Sequence, residues 1–403
     1  MRIAIHHNLP SGGGKRALYE MTRRLANRHE VDVYTFSSAD HDFCDLRPHC
    51  HRHQVFPFVP IPLARRPFGR MNQGIRALDL LRLRRIHGAL ATRIDAGNYD
   101  VVFVHHCRYG QSPSLLQFLK TPSVYYCQEP PRHLYEPPIA RPYRTLSQVQ
   151  LMGNLFDPLP DLYRRTLTRQ DHANVHAASR ILVNSHYSRE TLYRTYGIFA
   201  RVASLGVELG IFRPLALSRG YFALSVGAID PHKGFDFIVE SLALLPLAIR
   251  LPLVIVSNWV DAAERVYLEA LAQRLSVELE IKTMVTDFDL VELYNRATLV
   301  LYAPVMEPFG FVPLEAMACG APVVGVREAG VRESIIHEQT GLLTDREPRD
   351  FADGIDRLVR DADLREHCSA AGLELVRKHW TWDQALEQIE MQLGQTALHS
   401  RRR

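Results

Sequence analysis

Cysteine is sparse in this chain. Six occur among 403 residues, at positions 44, 50, 107, 127, 319 and 368. That scatter argues against a disulfide framework and fits a reducing compartment. No apolar run is long enough to span a bilayer. No basic-then-apolar leader precedes the first strand-like segment, so no secretory signal is expected. The expected location is the cytoplasm, with peripheral attachment at the inner face of the membrane as a further reading. Internal repeats and low-complexity tracts are missing too. What remains is ordinary: 46% apolar residues, enough for packed cores, on a length comfortable for two domains.

Charge is unevenly spread. The net +4 hides 27 Lys+Arg against 15 Asp+Glu in residues 1–200, an excess of twelve positive charges. Residues 201–403 carry 21 against 29, an excess of eight negative charges. A basic half and an acidic half imply two domains facing different partners. Nucleic acid is not among the partners expected.

Short apolar runs recur between helical segments. The first series is 2–6, 31–36, 101–105, 123–127 and 181–184. The second is 222–227, 253–257, 279–285, 298–303 and 323–326. Apolar strands alternating with helices imply parallel sheets covered on both faces, here two Rossmann-like domains. The pattern breaks near 206–220, which puts one domain at 1–205 and a second at 206–380. Residues 381–403, with Trp382 and a basic tail, form a last helical segment.

The stretch from Met306 to Gly320, Met-Glu-Pro-Phe-Gly-Phe-Val-Pro-Leu-Glu-Ala-Met-Ala-Cys-Gly, is the most informative. Glu307 and Glu315 are separated by seven residues. An apolar strand precedes them and another follows, so Glu307 is expected on a strand-to-helix loop and Glu315 in the first helical turn. Pro313 suits the first helical position and Gly320 the position past the end. Free N–H groups at such a helix start make an anion site. A diphosphate would lie on backbone donors at Phe309, Gly310, Phe311 and Val312. Glu315 could accept from two ribose hydroxyls, and Glu307 from a second sugar. A glutamate near a helix start also simply complements the dipole, but that explains neither Glu307 nor the Phe-Gly-Phe turn.

This segment resembles the E-x7-E signature of retaining glycosyltransferases of family four, which have the GT-B fold: two Rossmann-like domains facing each other across a cleft. Other marks of the resemblance are Arg2-Ile-Ala-Ile5 with Gly12-Gly-Gly14, Asn184-Ser-His-Tyr-Ser188, Val226-Gly-Ala-Ile-Asp-Pro-His-Lys-Gly234 and Glu328-Ala-Gly-Val-Arg-Glu333. The resemblance implies that Glu307 contacts the transferred sugar and Glu315 the ribose. It implies an acceptor-side first domain, a nucleotide-sugar-binding second domain, and a C-terminal helix that returns to the first. It also implies that Gly13 and Gly14 border the donor phosphates and the acceptor.

Lys233, just after a strand, can neutralise a departing diphosphate, and it matches the family's phosphate-binding lysine. The family often has an arginine five residues earlier; here that residue is Ala228, so activity would rest more on Lys233 and the helix N-terminus. Val124 to His133 resembles the acceptor-side segment of bacterial family-four mannosyltransferases, which gives Gln128, Glu129 and Arg132 to the acceptor. A histidine is common where Gln128 stands. Glutamine binds sugar hydroxyls but moves no proton near neutral pH; a retaining transfer needs none there, because the departing phosphate oxygen can take it. His105 and His106 end another strand, and His106 is a further acceptor-side candidate, with a structural role as the alternative.

Three other features carry less. Cys44, His49, Cys50, His51 and His53 offer zinc ligands, but not at the usual spacing. Asp40-His-Asp42 reads as a loop and not as a metal motif, and the resemblance implies an enzyme that works without a bound metal; no cofactor is expected. Residues 63–94 carry Arg65, Arg66, Arg70, Arg76, Arg82, Arg84, Arg85 and Arg93 beside Leu78, Leu81, Ile86 and Leu90, as a helix lying on an anionic membrane would, with a plain surface helix as the alternative. The expected function is transfer of a hexose, mannose by the acceptor-side resemblance, from GDP-mannose or a UDP-sugar to a glycan or lipid-linked glycan. The alternative is a non-catalytic or epimerase-type protein of the same fold.

Overall fold

Two parallel sheets organise the computed structural model, which describes residues 1–65, 71–144 and 159–401. The first contains β1 (Arg2–Asn8), β2 (Glu30–Phe36), β3 (Arg52–Phe56), β4 (Val101–Cys107), β5 (Ser123–Tyr126), β6 (Arg180–Val183) and β7 (Arg201–Val202). Its order is β3-β2-β1-β4-β5-β6-β7. The second contains β8 (Ala223–Val226), β9 (Leu253–Ser257), β10 (Leu279–Thr283), β11 (Leu299–Tyr302), β12 (Val323–Val326) and β13 (Leu342–Thr344), in the order β10-β9-β8-β11-β12-β13. Every pairing is parallel. Register keeps apolar residues side by side: Ile3 lies between Val31 and Val101, and all three are buried.

The ten expected strands are all present. Three short edge or near-edge strands, β3, β7 and β13, join them. The expected 279–285 run stops at Thr283 because Met284 has a positive φ of 56°, which leaves the extended region.

In each sheet the chain reverses its direction of growth between two neighbouring strands: β1 and β4 in the first, β8 and β11 in the second. Loops leaving such a pair diverge and open a crevice beyond the strand ends, where ligands of open α/β sheets bind. The glycine loop before α1 (Gly13–Ala26) and the residues after β4 bound the first crevice. Lys233 and Glu307 stand at the second.

The two domains meet in direct contacts. Arg16 pairs with Asp287 at 2.7 Å, Ser185 Oγ donates to the Pro308 carbonyl at 2.6 Å, and Arg141 pairs with the buried Glu264 at 3.0 Å. The chain crosses between them twice, side by side: Val207 N–H donates to the Trp380 carbonyl at 2.8 Å. The C-terminal helix Trp382–Arg401 packs on α1, β4 and β5 of the first sheet, and buries Trp382, Leu386, Ile389 and Leu393.

Candidate active site

The crevice at β8 and β11 holds a cavity of about 300 Å³. Lys233, Glu307, Phe309 and Phe311 line it from the second domain, and Gly13, Gly14, Gln128, Glu129 and Arg132 from the first. Lys233 is the last residue of a single 3-10 turn, Pro231–Lys233, whose N-cap Asp230 accepts from His232 N–H. Gly234 ends that turn with a φ of 64°, and a Cβ there would fall 2.1 Å from the Ala303 carbonyl oxygen. Only glycine meets both demands, so the lysine is fixed by its neighbour.

The Lys233 ammonium donates to both oxygens of Glu307, at 3.1 and 2.9 Å. The two side chains are about one-quarter and one-fifth exposed. The lysine and the glutamate are therefore each other's partners.

The loop carrying Glu307 is held from two sides. Arg346 donates to the Ala303 and Pro304 carbonyls at 3.1 and 2.6 Å, and is itself gripped by Glu328 at 2.7 Å. Arg132, from the first domain, donates to the next two carbonyls, Val305 and Met306, at 3.0 and 2.8 Å. Its Nε reaches Glu129 at 2.7 Å. Arg132 was expected at the acceptor; the structure brings it across the cleft into the cavity of Lys233. Glu129 lies on the wall shared with the first crevice, which explains why one motif faces both sides.

The helix Phe311–Ala318 starts at Gly310, and no side chain caps it. The Phe311 and Val312 N–H groups have no acceptor among the described residues. Gly310 sits under Tyr302, where a Cβ would come within 2.8 Å of the ring. Pro313 is the third helical residue and not the first, a place where a missing N–H also costs nothing. Glu315 is the fifth, so it begins the second turn. It is only 7% exposed and accepts from the Tyr294 hydroxyl at 2.9 Å. Burial pushes its carboxyl up, and Arg16 and Tyr294 pull it back.

Gln128 lies over Gly14, on the wall between the two crevices. His106 is buried, and its Nε2 accepts from the Gln128 N–H at 3.2 Å. Burial holds its pKa at about 4, so at neutral pH it is an uncharged support for the Gln128 turn. His105 is buried and stacked on Tyr126.

The Cys/His stretch does not converge. Cys50 donates to the Arg47 carbonyl, His49 meets Tyr19, His51 faces Asp32 and His53 packs on His41. Asp40 caps its own loop by accepting from the Asp42 and Phe43 N–H groups. The sequence reading missed His232, Asn184, Leu205 and Pro308 as cavity residues. His232 stood beside Lys233 in the motif. Leu205 carried no signal, because an apolar residue at a domain crossing looks like any core residue.

Two facing Rossmann-like domains with this cleft are the GT-B fold. Residues 11–210 match the family model described as Glycosyltransferase Family 4, and residues 211–374 match Glycosyl transferases group 1. The chain belongs to the group 1, family-four glycosyltransferases. It is 28% identical over 401 residues to a D-inositol 3-phosphate glycosyltransferase of Acidothermus cellulolyticus, covering 92% of this chain and 83% of that one. In fold it is similar to sucrose-phosphate synthase from Thermosynechococcus elongatus, with a TM-score of 0.73, 20% identity and 98% of each chain covered. It is also similar to Anabaena HepE in complex with UDP and glucose, with a TM-score of 0.68, 19% identity, and 98% of this chain and 100% of that one covered.

Proposed function

We propose that this enzyme transfers a hexose from a nucleoside-diphosphate sugar to a hydroxyl of a glycan or lipid-linked glycan, with retention of configuration and without a bound metal. The observation that carries this reading is the Lys233–Glu307 pair at the β8/β11 crevice. A diphosphate sugar offers each member a new partner: phosphate oxygens for the ammonium, sugar hydroxyls for the carboxylate. The diphosphate lies over the free N–H groups of Phe311 and Val312, at a helix start that favours negative charge. Glu315 holds the ribose. As the bond from the sugar to the phosphate breaks, charge grows on the leaving oxygen, and Lys233 and the helix start stabilise it. Arg132 supplies the second cation that Ala228 does not, so two fixed positive charges do the work of a divalent ion.

UDP and glucose in HepE support a nucleoside-diphosphate sugar here. A UDP-sugar and GDP-mannose are the two donors proposed, mannose resting on the segment around Gln128. Melting temperatures across a panel of nucleotide sugars test this, because a ligand that binds only the native state raises Tm. One donor is expected to stand out and to give a product that keeps the anomeric configuration. An inverted product would refute retention, and loss of turnover on chelation, restored by Mg²⁺ or Mn²⁺, would refute metal independence. Ala228 and Gln128 favour one other reading, a protein that binds or epimerises the donor without transfer. Tight binding with no transferred sugar would establish it.

A further inference from the structure

The second domain buries a carboxylate that it does not itself satisfy. Glu264 lies in the first turn of the helix Ala262–Arg274 and is 1% exposed. Among the described residues, the side chains that donate to its carboxylate come from the first domain. Arg141 Nε donates to its two oxygens at 3.1 and 3.0 Å, and Arg141 Nη2 to one of them at 3.0 Å. The Tyr143 hydroxyl donates to the other. A buried charge left alone is costly. The second domain is therefore complete only with this segment of the first docked on it.

Arg141 does more than satisfy Glu264. Its side chain is 6% exposed, and Nη1 pairs with Asp236 at 3.0 Å. Nη2 also donates to the Pro231 carbonyl at 3.2 Å, and the guanidinium lies over the Tyr267 ring. Pro231 precedes Lys233 in its turn, and Asp236 follows it in the first turn of the next helix. The two contacts thus bracket the donor lysine. Gly234 N–H also reaches the Pro231 carbonyl, but at a long 3.4 Å, so the turn's own hold on it is weak.

Arg132, in the same segment, does the equivalent for Glu307 by holding the Val305 and Met306 carbonyls. Val305 N–H in turn donates to the His232 carbonyl at 2.7 Å, which ties the two loops together. One stretch of the first domain grips the backbone beside each member of the Lys233–Glu307 pair.

We propose that Arg141 is a positioning residue for Lys233. Seated on the Pro231 carbonyl and on Asp236, it sets the lysine turn against the leaving diphosphate, so the donor site is assembled only when the first domain is docked. The inference rests on the transferase reading above and names the residue through which the first domain acts on the donor lysine. Arginine suits the place, because its planar fork serves Glu264, Asp236 and a carbonyl at once, whereas lysine offers a single point charge.

Donor hydrolysis by the full chain tests it, read as UDP or GDP released from a panel of UDP-sugars and GDP-mannose with no acceptor added. Arg141→Lys keeps the charge that Glu264 needs and gives up the fork. It should lower kcat by about tenfold to a hundredfold, while donor KM changes by less than about threefold. In the Lys233→Ala background the same substitution should cost no more than about twofold, since a residue that acts through Lys233 has nothing left to position. Losses that multiply would overturn the proposal, and so would a wild-type kcat in Arg141→Lys. Tyr143→Phe loosens the same carboxylate without touching Pro231, and should keep kcat within about twofold. A loss there as large as that of Arg141→Lys would show that docking alone sets the rate, and would also overturn it. If Arg141→Lys melts below the assay temperature, Arg141→Gln with Glu264→Gln removes both buried charges together and repeats the comparison. A wild type that releases neither nucleotide from any donor refutes the transferase reading, and this inference with it. An active wild type with multiplying losses refutes the inference alone.

Discussion

On the proposed donor pose, Lys233 and Glu307 exchange partners when the donor arrives, so removing either should have two effects. Lys233→Ala deletes a charged hydrogen bond worth roughly 1.5–3 kcal/mol in donor binding. Because charge grows during transfer, turnover should fall further, by about two to three orders of magnitude. Normal turnover in this variant would mean that the diphosphate lies elsewhere. Glu307→Ala should abolish most turnover while shifting stability by no more than about 0.5 kcal/mol. Its loop is held through backbone carbonyls that the substitution leaves intact.

Arg132 makes a different prediction. It both orients the Glu307 loop and adds charge to the cavity. Displacing a reacting group by about 1 Å costs on the order of a hundredfold in rate, and Arg132→Ala should fall in that range. Ala228→Arg should recover part of the loss if the charge matters, and none if only the loop position does. Steady-state rates of the single and double variants decide between them.

At the scale of elements, the sequence was legible where a strand is buried on both faces. Runs such as Val-Val-Phe-Val at β4 are continuously apolar because helices cover both sides. β3, Arg-His-Gln-Val-Phe, is half-buried at an edge, so its polar residues disguised it. β13 has only three residues, too few to show a period. The candidate site was legible for a related reason: Glu307, Lys233 and the Phe-Gly-Phe turn follow strands directly, and strand ends at a reversal of order are where ligands sit. The domain to which the Arg132 side chain reaches was not legible, because that depends on how the two sheets face each other.

α2 (Asn72–Asp95) tests the reading of a membrane-facing surface. It docks Leu80, Leu83, Leu90 and Ile94 inward, but Leu78 and Leu81 stand 54% and 57% exposed. Arg82 and Arg84 are engaged by Asp79 and Gln117, whereas Arg85 is exposed. Arg66 and Arg70 lie outside the described residues. Binding to anionic vesicles is expected to weaken with salt, and Leu78→Ser with Leu81→Ser to reduce it. Equal partitioning onto neutral vesicles would count against this surface.

The whole molecule should be acid-sensitive, and the first domain is the reason. His6, His105 and His106 are held at about 4, 3 and 4 by burial, and His7 and His87 well below their ordinary value. In the unfolded chain each titrates near 6.5. Between that value and 4 the unfolded state binds protons that the native state refuses. Their contribution is complete above about pH 6.5 and is lost as pH falls, at roughly 1.4 kcal/mol per unit for each histidine. Five such groups can exhaust an ordinary stability of about 5–15 kcal/mol within two or three units. Circular dichroism across pH 7.5 to 4 should show cooperative unfolding beginning below about pH 6. An unchanged melting temperature at pH 5 would show that these side chains titrate freely.

The helix Trp382–Arg401 lies on the first sheet although it follows the second domain in the chain. The order of synthesis and the order of completion are therefore reversed. The domain that leaves the ribosome first waits, with the surface of β4 and β5 still bare, while the whole of its neighbour is made and folded. Only when Trp382, Leu386, Ile389 and Leu393 emerge can that surface close. A released chain cut off before residue 382 would carry a finished second domain beside an unfinished first one, so during biosynthesis the first domain is the one in need of a chaperone.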